Sequence, residues 1–142
     1  MIVLDANILL YAYDRLSPQH NQAKGWLEQA FSSTDPIGLP WQTISAFTRI
    51  LTNLRLPGPR FSIGEVVEII DGWLDQPNVQ TLSPSDSHWM LFRQMLTEGQ
   101  ASGVLVTDAH LAAITIEYGG VLHTTDRDFS RFPTLRWTNP LA

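Results

Sequence analysis

Residues 1–13 read MIVLDANILLYAY, and this stretch decides the fold. Its first four residues are apolar and end at Asp5, the pattern of a short buried strand with a carboxylate at its carboxyl end. An apolar segment with Asn7 as a possible cap follows, and reads as a helix. A buried strand feeding a helix is the opening of an α/β unit. The rest of the chain repeats that alternation. Ser17-Pro18 predicts a helix start, with Ala23, Trp26, Leu27, Ala30 and Phe31 on one face. Residues 41–54 place Ile44, Phe47, Ile50, Leu51 and Leu54 on one stripe. LPGPRFS then breaks the pattern, and Ser62 with Glu65 forms a capping box before Val66, Ile69, Ile70, Trp73 and Leu74.

Further helices are expected over about 86–98, stopping at Gly99, and from near Asp108 to the pair Gly119-Gly120. Strands are expected at 79–82, 121–123 and 135–137. Short apolar strands alternating with amphipathic helices predict an α/β fold: a three-layer α/β/α sandwich on a small central parallel sheet. At 142 residues this is one domain, residues 1–142, with no repeat or linker.

Composition narrows the chemistry. With no cysteine, disulfides, thiolate metal sites and a cysteine nucleophile are excluded together. No apolar run approaches the ~20 residues of a membrane span, and no basic segment precedes the apolar start. A soluble, cytoplasmic protein is expected. The net charge of −5 argues at first against a nucleic-acid partner. Its distribution argues the other way. Residues 36–64 hold no acid but include Arg49, Arg55 and Arg60, and residues 129–142 hold no acid but include Arg131 and Arg136. Lys24 is the only lysine, so the cationic surface is almost all guanidinium, whose planar fork suits phosphate.

Four aspartates stand apart by position. Asp5 ends the first strand, Asp126 and Asp128 follow the strand at 121–123, and Asp108 opens a helix. In open parallel sheets the functional crevice lies outside the carboxyl ends of the strands, where these segments converge. Taken singly, Asp108 reads as an N-cap and Asp126 and Asp128 as turn residues. Asp5 resists such a reading, because a carboxylate directly after a buried strand is partly desolvated and has no lysine near it. Two carboxylates ~4 Å apart repel by roughly 4 kcal/mol at an effective dielectric of 20. A cluster of three or four therefore needs protons or a cation, and oxygen-only ligands select Mg²⁺ or Mn²⁺. Such a centre points to phosphate chemistry. The four histidines have no serine partner to suggest a triad and read as core or surface.

IVLDANILLYA, LVTDAHLAAITIEYGG and LHTTDRDFSRFP resemble the three signature blocks of the PIN-domain family, and the tail LRWTNPL extends the match to essentially the whole chain. The VapC toxins of type II toxin–antitoxin systems are the most similar subgroup. The resemblance implies metal ligation by Asp5, Asp108 and Asp126, with Asp128 as a further catalytic acid. It implies supporting roles for Asn7, within the cluster, and for Thr125, just ahead of the third acid. It also implies an endoribonuclease that cleaves RNA with metal-activated water, acts as a homodimer and is silenced by an antitoxin. Arg49 is a candidate phosphate contact. One departure is plain: where the family carries a glutamate ahead of Phe-x-Arg, this chain has Ala46, with Gln42 one helical turn earlier. That departure supports a rival expectation, a PIN-like module that binds RNA or a partner without cutting. Receiver, dehalogenase-type and dinucleotide-binding readings fail. They lack, in turn, a late lysine, a second Asp at position 7 and a glycine-rich first turn.

Overall fold

The computed structural model describes residues 1–58 and 60–142. The chain opens with β1 (Ile2–Leu4) and passes at once into α1 (Ala6–Tyr13). Asp5 makes the turn: its backbone is extended, and its Oδ1 accepts the Ala6 N–H at 2.8 Å. Asp5, and not Asn7, is therefore the helix cap. There follow α2 (His20–Ser32), β2 (Ile37–Pro40), α3 (Trp41–Thr52), α4 (Ile63–Leu74), β3 (Val79–Leu82), α5 (His88–Glu98), α6 (Leu105–Glu117) and β4 (Val121–His123). A 3₁₀ turn at Arg127–Arg131 and β5 (Trp137–Thr138) close the chain.

The strands form one parallel sheet in the order β3-β2-β1-β4-β5. Side chains alternate across it. Leu4, Ile37 and Leu39 join the core under α1 to α4, whereas Val3, Leu82 and Leu122 join the core under α5 and α6 with Phe129 and Phe132. These are the three layers expected from the alternating pattern. The chain leaves β1 toward β2 on one side, and β4 returns on the other. A crevice therefore opens beyond the carboxyl ends of β1 and β4. Among the described residues no helix is long and apolar enough to cross a membrane.

The structure corrects several expected boundaries. β2, of sequence IGLP, is an additional strand; it is fully buried, but its Gly and Pro hide it from any propensity-based reading. Gly38 packs tightly there: a Cβ would sit 2.6 Å from Leu82 Cδ1 and 2.9 Å from Met1 Sδ, and those side chains would have to shift. α2 starts at His20, two residues past Pro18, because the Ser17 hydroxyl is engaged with Gln19 in a turn. α3 ends at Thr52, which leaves Leu54 outside the helix and 82% exposed. α6 starts at Leu105, so Asp108 lies in its first turn and is not its cap. Its end is as expected: Gly119, at φ +64°, and Gly120 return their N–H groups to Ile116 and Thr115 carbonyls.

The capping box forms as expected. Ser62 Oγ accepts the Glu65 N–H at 3.1 Å, and Glu65 Oε1 accepts the Ser62 N–H at 3.0 Å. Ser62→Ala should lower stability by about 1 kcal/mol, read from a urea melt. Ser62→Asp should hold it near wild type.

Candidate active site

Three segments bring carboxylates to the crevice: the β1–α1 junction (Asp5), the first turn of α6 (Asp108) and the loop after β4 (Asp126, Asp128). One carboxylate oxygen from each of Asp108, Asp126 and Asp128 lies within 4.8 Å of the other two. Asp5 shares a small cleft with Asp108, walled on the other side by Gln42, Thr43 and Ala46 of α3. Wider hollows exist, such as the one around Asn78 at the other end of the sheet, but no titratable side chain lines it. Chemistry, not size, marks the site.

The centre of the arrangement is the Thr124 hydroxyl, which is fully buried. It donates to Asp5 Oδ2 at 2.7 Å and accepts the Asp126 N–H at 3.0 Å and Asn7 Nδ2 at 3.1 Å. Its single proton goes to Asp5, so Asn7 must present its NH₂ to it, which fixes the Asn7 amide. Asp5 is thereby held at both oxygens, Oδ1 by Ala6 and Oδ2 by Thr124. Asp126 is oriented by accepting the Asp128 N–H at 2.9 Å. The sequence placed the supporting hydroxyl at Thr125; Thr124 is the residue that joins Asp5, Asn7 and Asp126. The missed signal was alternation: β4 buries Leu122, so Thr124, two residues on, falls on a buried position too.

Two of these carboxylates, Asp108 and Asp5, titrate high. Burial pushes Asp108 up to about 6, and the charges of Asp126, Asp5 and Asp128 add to the push; Arg131 opposes it. Burial also raises Asp5, against the pull of the Thr124 and Ala6 hydrogen bonds, with Asp126 adding repulsion. Arg131 does not neutralise the cluster by contact, since its Nη1 donates to the Gly99 and Gln100 carbonyls. Among the described residues the one contact at ion-pair distance is His88 Nδ1 to Glu117 Oε2, which joins α5 to α6. Among the described residues, no aspartate of the cluster is paired with a cation.

Two buried acceptors beside the acids, Asn7 Oδ1 and Gln42 Oε1, have no partner among the described residues. Unpaired buried oxygens next to unneutralised carboxylates form a donor set suited to a hydrated hard cation. Of the other sequence candidates, Arg49 is exposed on α3, one turn past Ala46. The histidines pack as expected: His110 stacks on Phe92 at 5.2 Å and His123 on Trp26 at 5.4 Å.

Comparison with known proteins identifies the family. The PIN domain family matches residues 2–135. Ribonuclease VapC43 of Mycobacterium tuberculosis is 36% identical over 141 residues, which span 99% of this chain and 96% of that protein. Ribonuclease VapC33 of the same organism is 36% identical over 99% of both chains. The solved VapBC2 structure from Rickettsia felis, bound to a promoter DNA fragment, superposes with a TM-score of 0.72 at 18% identity, over 98% of each chain. VapBC-1 from nontypeable Haemophilus influenzae gives 0.70 at 18% identity, over 100% of each. The solved structures share the fold, and the mycobacterial ribonucleases align with 36% identity over nearly the whole chain: the chain belongs to the PIN-domain family, with the VapC ribonucleases.

Proposed function

We propose that this chain is a divalent-metal-dependent endoribonuclease, the toxin of a type II toxin–antitoxin pair, which cleaves RNA at the aspartate cluster. The observation that carries the reading is the clustering of Asp108, Asp126 and Asp128, with Asp5 in the cleft beside Asp108 and no cation paired to any of the four among the described residues. Asp5, Asp108 and Asp126 are the ligands proposed for Mg²⁺ or Mn²⁺, with Asp128 beside them. Bound there, the ion neutralises a phosphodiester oxygen and lowers the pKa of water.

The chain's own residues orient the centre. Thr124 and the Ala6 N–H lock the Asp5 carboxylate, and the Asp128 N–H fixes Asp126. Asn7 acts through Thr124. Thr125, next in the chain, is proposed only to shape the loop that carries Asp126. Arg49, on the acid-free stretch 36–64, is proposed to hold a substrate phosphate away from the acids, where a net-negative protein otherwise repels RNA. The same stretch is proposed to meet the antitoxin. The active form is proposed to be a homodimer.

Ala46 in the cleft wall favours the second reading, an RNA- or partner-binding module that does not cut. Purified protein incubated with RNA separates the two. The nuclease reading expects cleavage with Mg²⁺ or Mn²⁺ and none with excess chelator. Binding without cleavage under every divalent condition would favour the module. Arg49→Glu should weaken RNA binding several-fold and flatten its salt dependence by about one counterion. Unchanged binding would remove Arg49 from the substrate path.

A further inference from the structure

We infer that Gln42 is a positioning residue of the metal centre, its amide oxygen accepting a hydrogen bond from the hydration shell of a divalent ion held beside Asp5 and Asp108. The inference rests on the metal-dependent reading of this site. It assigns a role to a residue that replaces, one turn earlier and without charge, the carboxylate absent at Ala46.

Gln42 lies in the first turn of α3 and lines the cleft with Asp5 and Asp108. Its Nε2 donates to the Thr107 carbonyl at 3.3 Å. That bond fixes which end of the amide is which, since the flipped amide would set two carbonyl oxygens against each other. Oε1 is therefore the end left over. It is buried and finds no donor among the described residues. A buried acceptor without a donor is costly, and a bound water or ion relieves that cost.

The surroundings say what completes it. Ionised Asp5 and Asp108 are acceptors only, and neither can donate to Gln42. A water that gives one proton to Gln42 and the other to a carboxylate keeps its lone pairs free, and a cation takes them. Mg²⁺ retains several waters when one or two carboxylates bind it, which matches a cleft walled by two carboxylates and a neutral amide. A neutral acceptor also spares the ion-free protein a further charge beside an already crowded cluster.

Melting temperature as a function of Mn²⁺ concentration, on the full chain, tests this through mass action and without any assay of activity. Gln42→Met removes the unpaired acceptor at similar volume. Its ion-free melting temperature should equal or exceed the wild type's, while the Mn²⁺ concentration for half the shift rises about tenfold, the scale for losing a partner of a metal's ligand shell. Gln42→Glu restores a charge. It should lower the ion-free melting temperature and bring the Mn²⁺ midpoint down about tenfold. Opposite signs with and without the ion separate positioning from plain structural support, which would move both the same way. If both Gln42 variants keep the wild-type midpoint while Asp5→Asn abolishes the shift, the metal centre stands and the Gln42 inference is wrong. If Gln42→Met loses ion-free stability at an unchanged midpoint, Gln42 is a strut and the inference is likewise wrong. A wild type indifferent to millimolar Mn²⁺ overturns both.

Discussion

Asp108→Asn should reduce divalent-dependent RNA cleavage by about a hundredfold or more, the scale of removing one group that stabilises charge in a reaction's transition state. The same substitution should leave the ion-free protein as stable or more stable. The two effects have one cause. In the folded chain Asp108 keeps its proton up to about pH 6, because burial and then the charges of Asp126, Asp5 and Asp128 oppose ionisation. A folded-state pKa above the unfolded value means that the native state binds the proton more tightly. Stability from this group is thus highest below about pH 4 and declines as pH rises to about 6, beyond which the penalty is constant. Asn carries no charge, so the difference between variant and wild type should grow across that window and then level off. Allowing for solvent screening of a half-exposed carboxyl, about 1 kcal/mol is expected at neutral pH. Urea melts in chelator at pH 4 and pH 7 measure it. With Mn²⁺ at pH 7 the order should narrow or reverse, since the wild type binds the ion more tightly. A variant less stable than wild type in chelator at pH 7 would show that Asp108 is a structural residue.

Thr124→Val should produce the largest loss of stability of any single change at the site. Valine matches threonine in shape, so the volume is kept and the hydroxyl alone is lost. Three partners are orphaned together: Asp5 Oδ2, the Asp126 N–H and Asn7 Nδ2. Leaving buried polar groups unpaired costs roughly 1–3 kcal/mol each, and sharing within one network makes about 2–4 kcal/mol a reasonable total. The Thr124 hydrogen bond pulls the Asp5 pKa down, so without it Asp5 should titrate still higher. Cleavage should fall with it, because Asp5 is then free to rotate about its remaining Ala6 contact. Thr124→Ser keeps the hydroxyl and should recover most of both losses. A Thr124→Val protein with wild-type stability and activity would mean that the hydroxyl is incidental.

The parts of this molecule that sequence made legible share a physical origin. Asp5 stands out in the sequence because it directly follows four apolar residues, although the structure also gives it the ordinary role of capping α1. The capping box at Ser62 and the glycine end of α6 were readable because each is a local rule with one geometry. What escaped depends on tertiary context. β2 contains a glycine and ends in a proline, and the close approach of Leu82 and Met1 to Gly38 comes from residues distant in sequence. Asp108 looked like a cap because its helix lacks a capping side chain and begins three residues earlier, at Leu105. Thr124 escaped because two adjacent threonines differ only in which face of the chain they occupy. Gln42 and Thr107 are 65 residues apart in sequence, so the bond that orients the amide has no local signature.

The central claim is that carboxylates from three separate segments meet in one crevice that a divalent ion completes. Crystals of the full chain soaked in millimolar Mn²⁺, with data collected at the manganese edge, test it most directly. The account predicts an anomalous peak at direct bonding distance from carboxylate oxygens of Asp5, Asp108 or Asp126, and its disappearance in Asp5→Asn crystals. An empty crevice at that concentration, with the four aspartates unmoved, would contradict it.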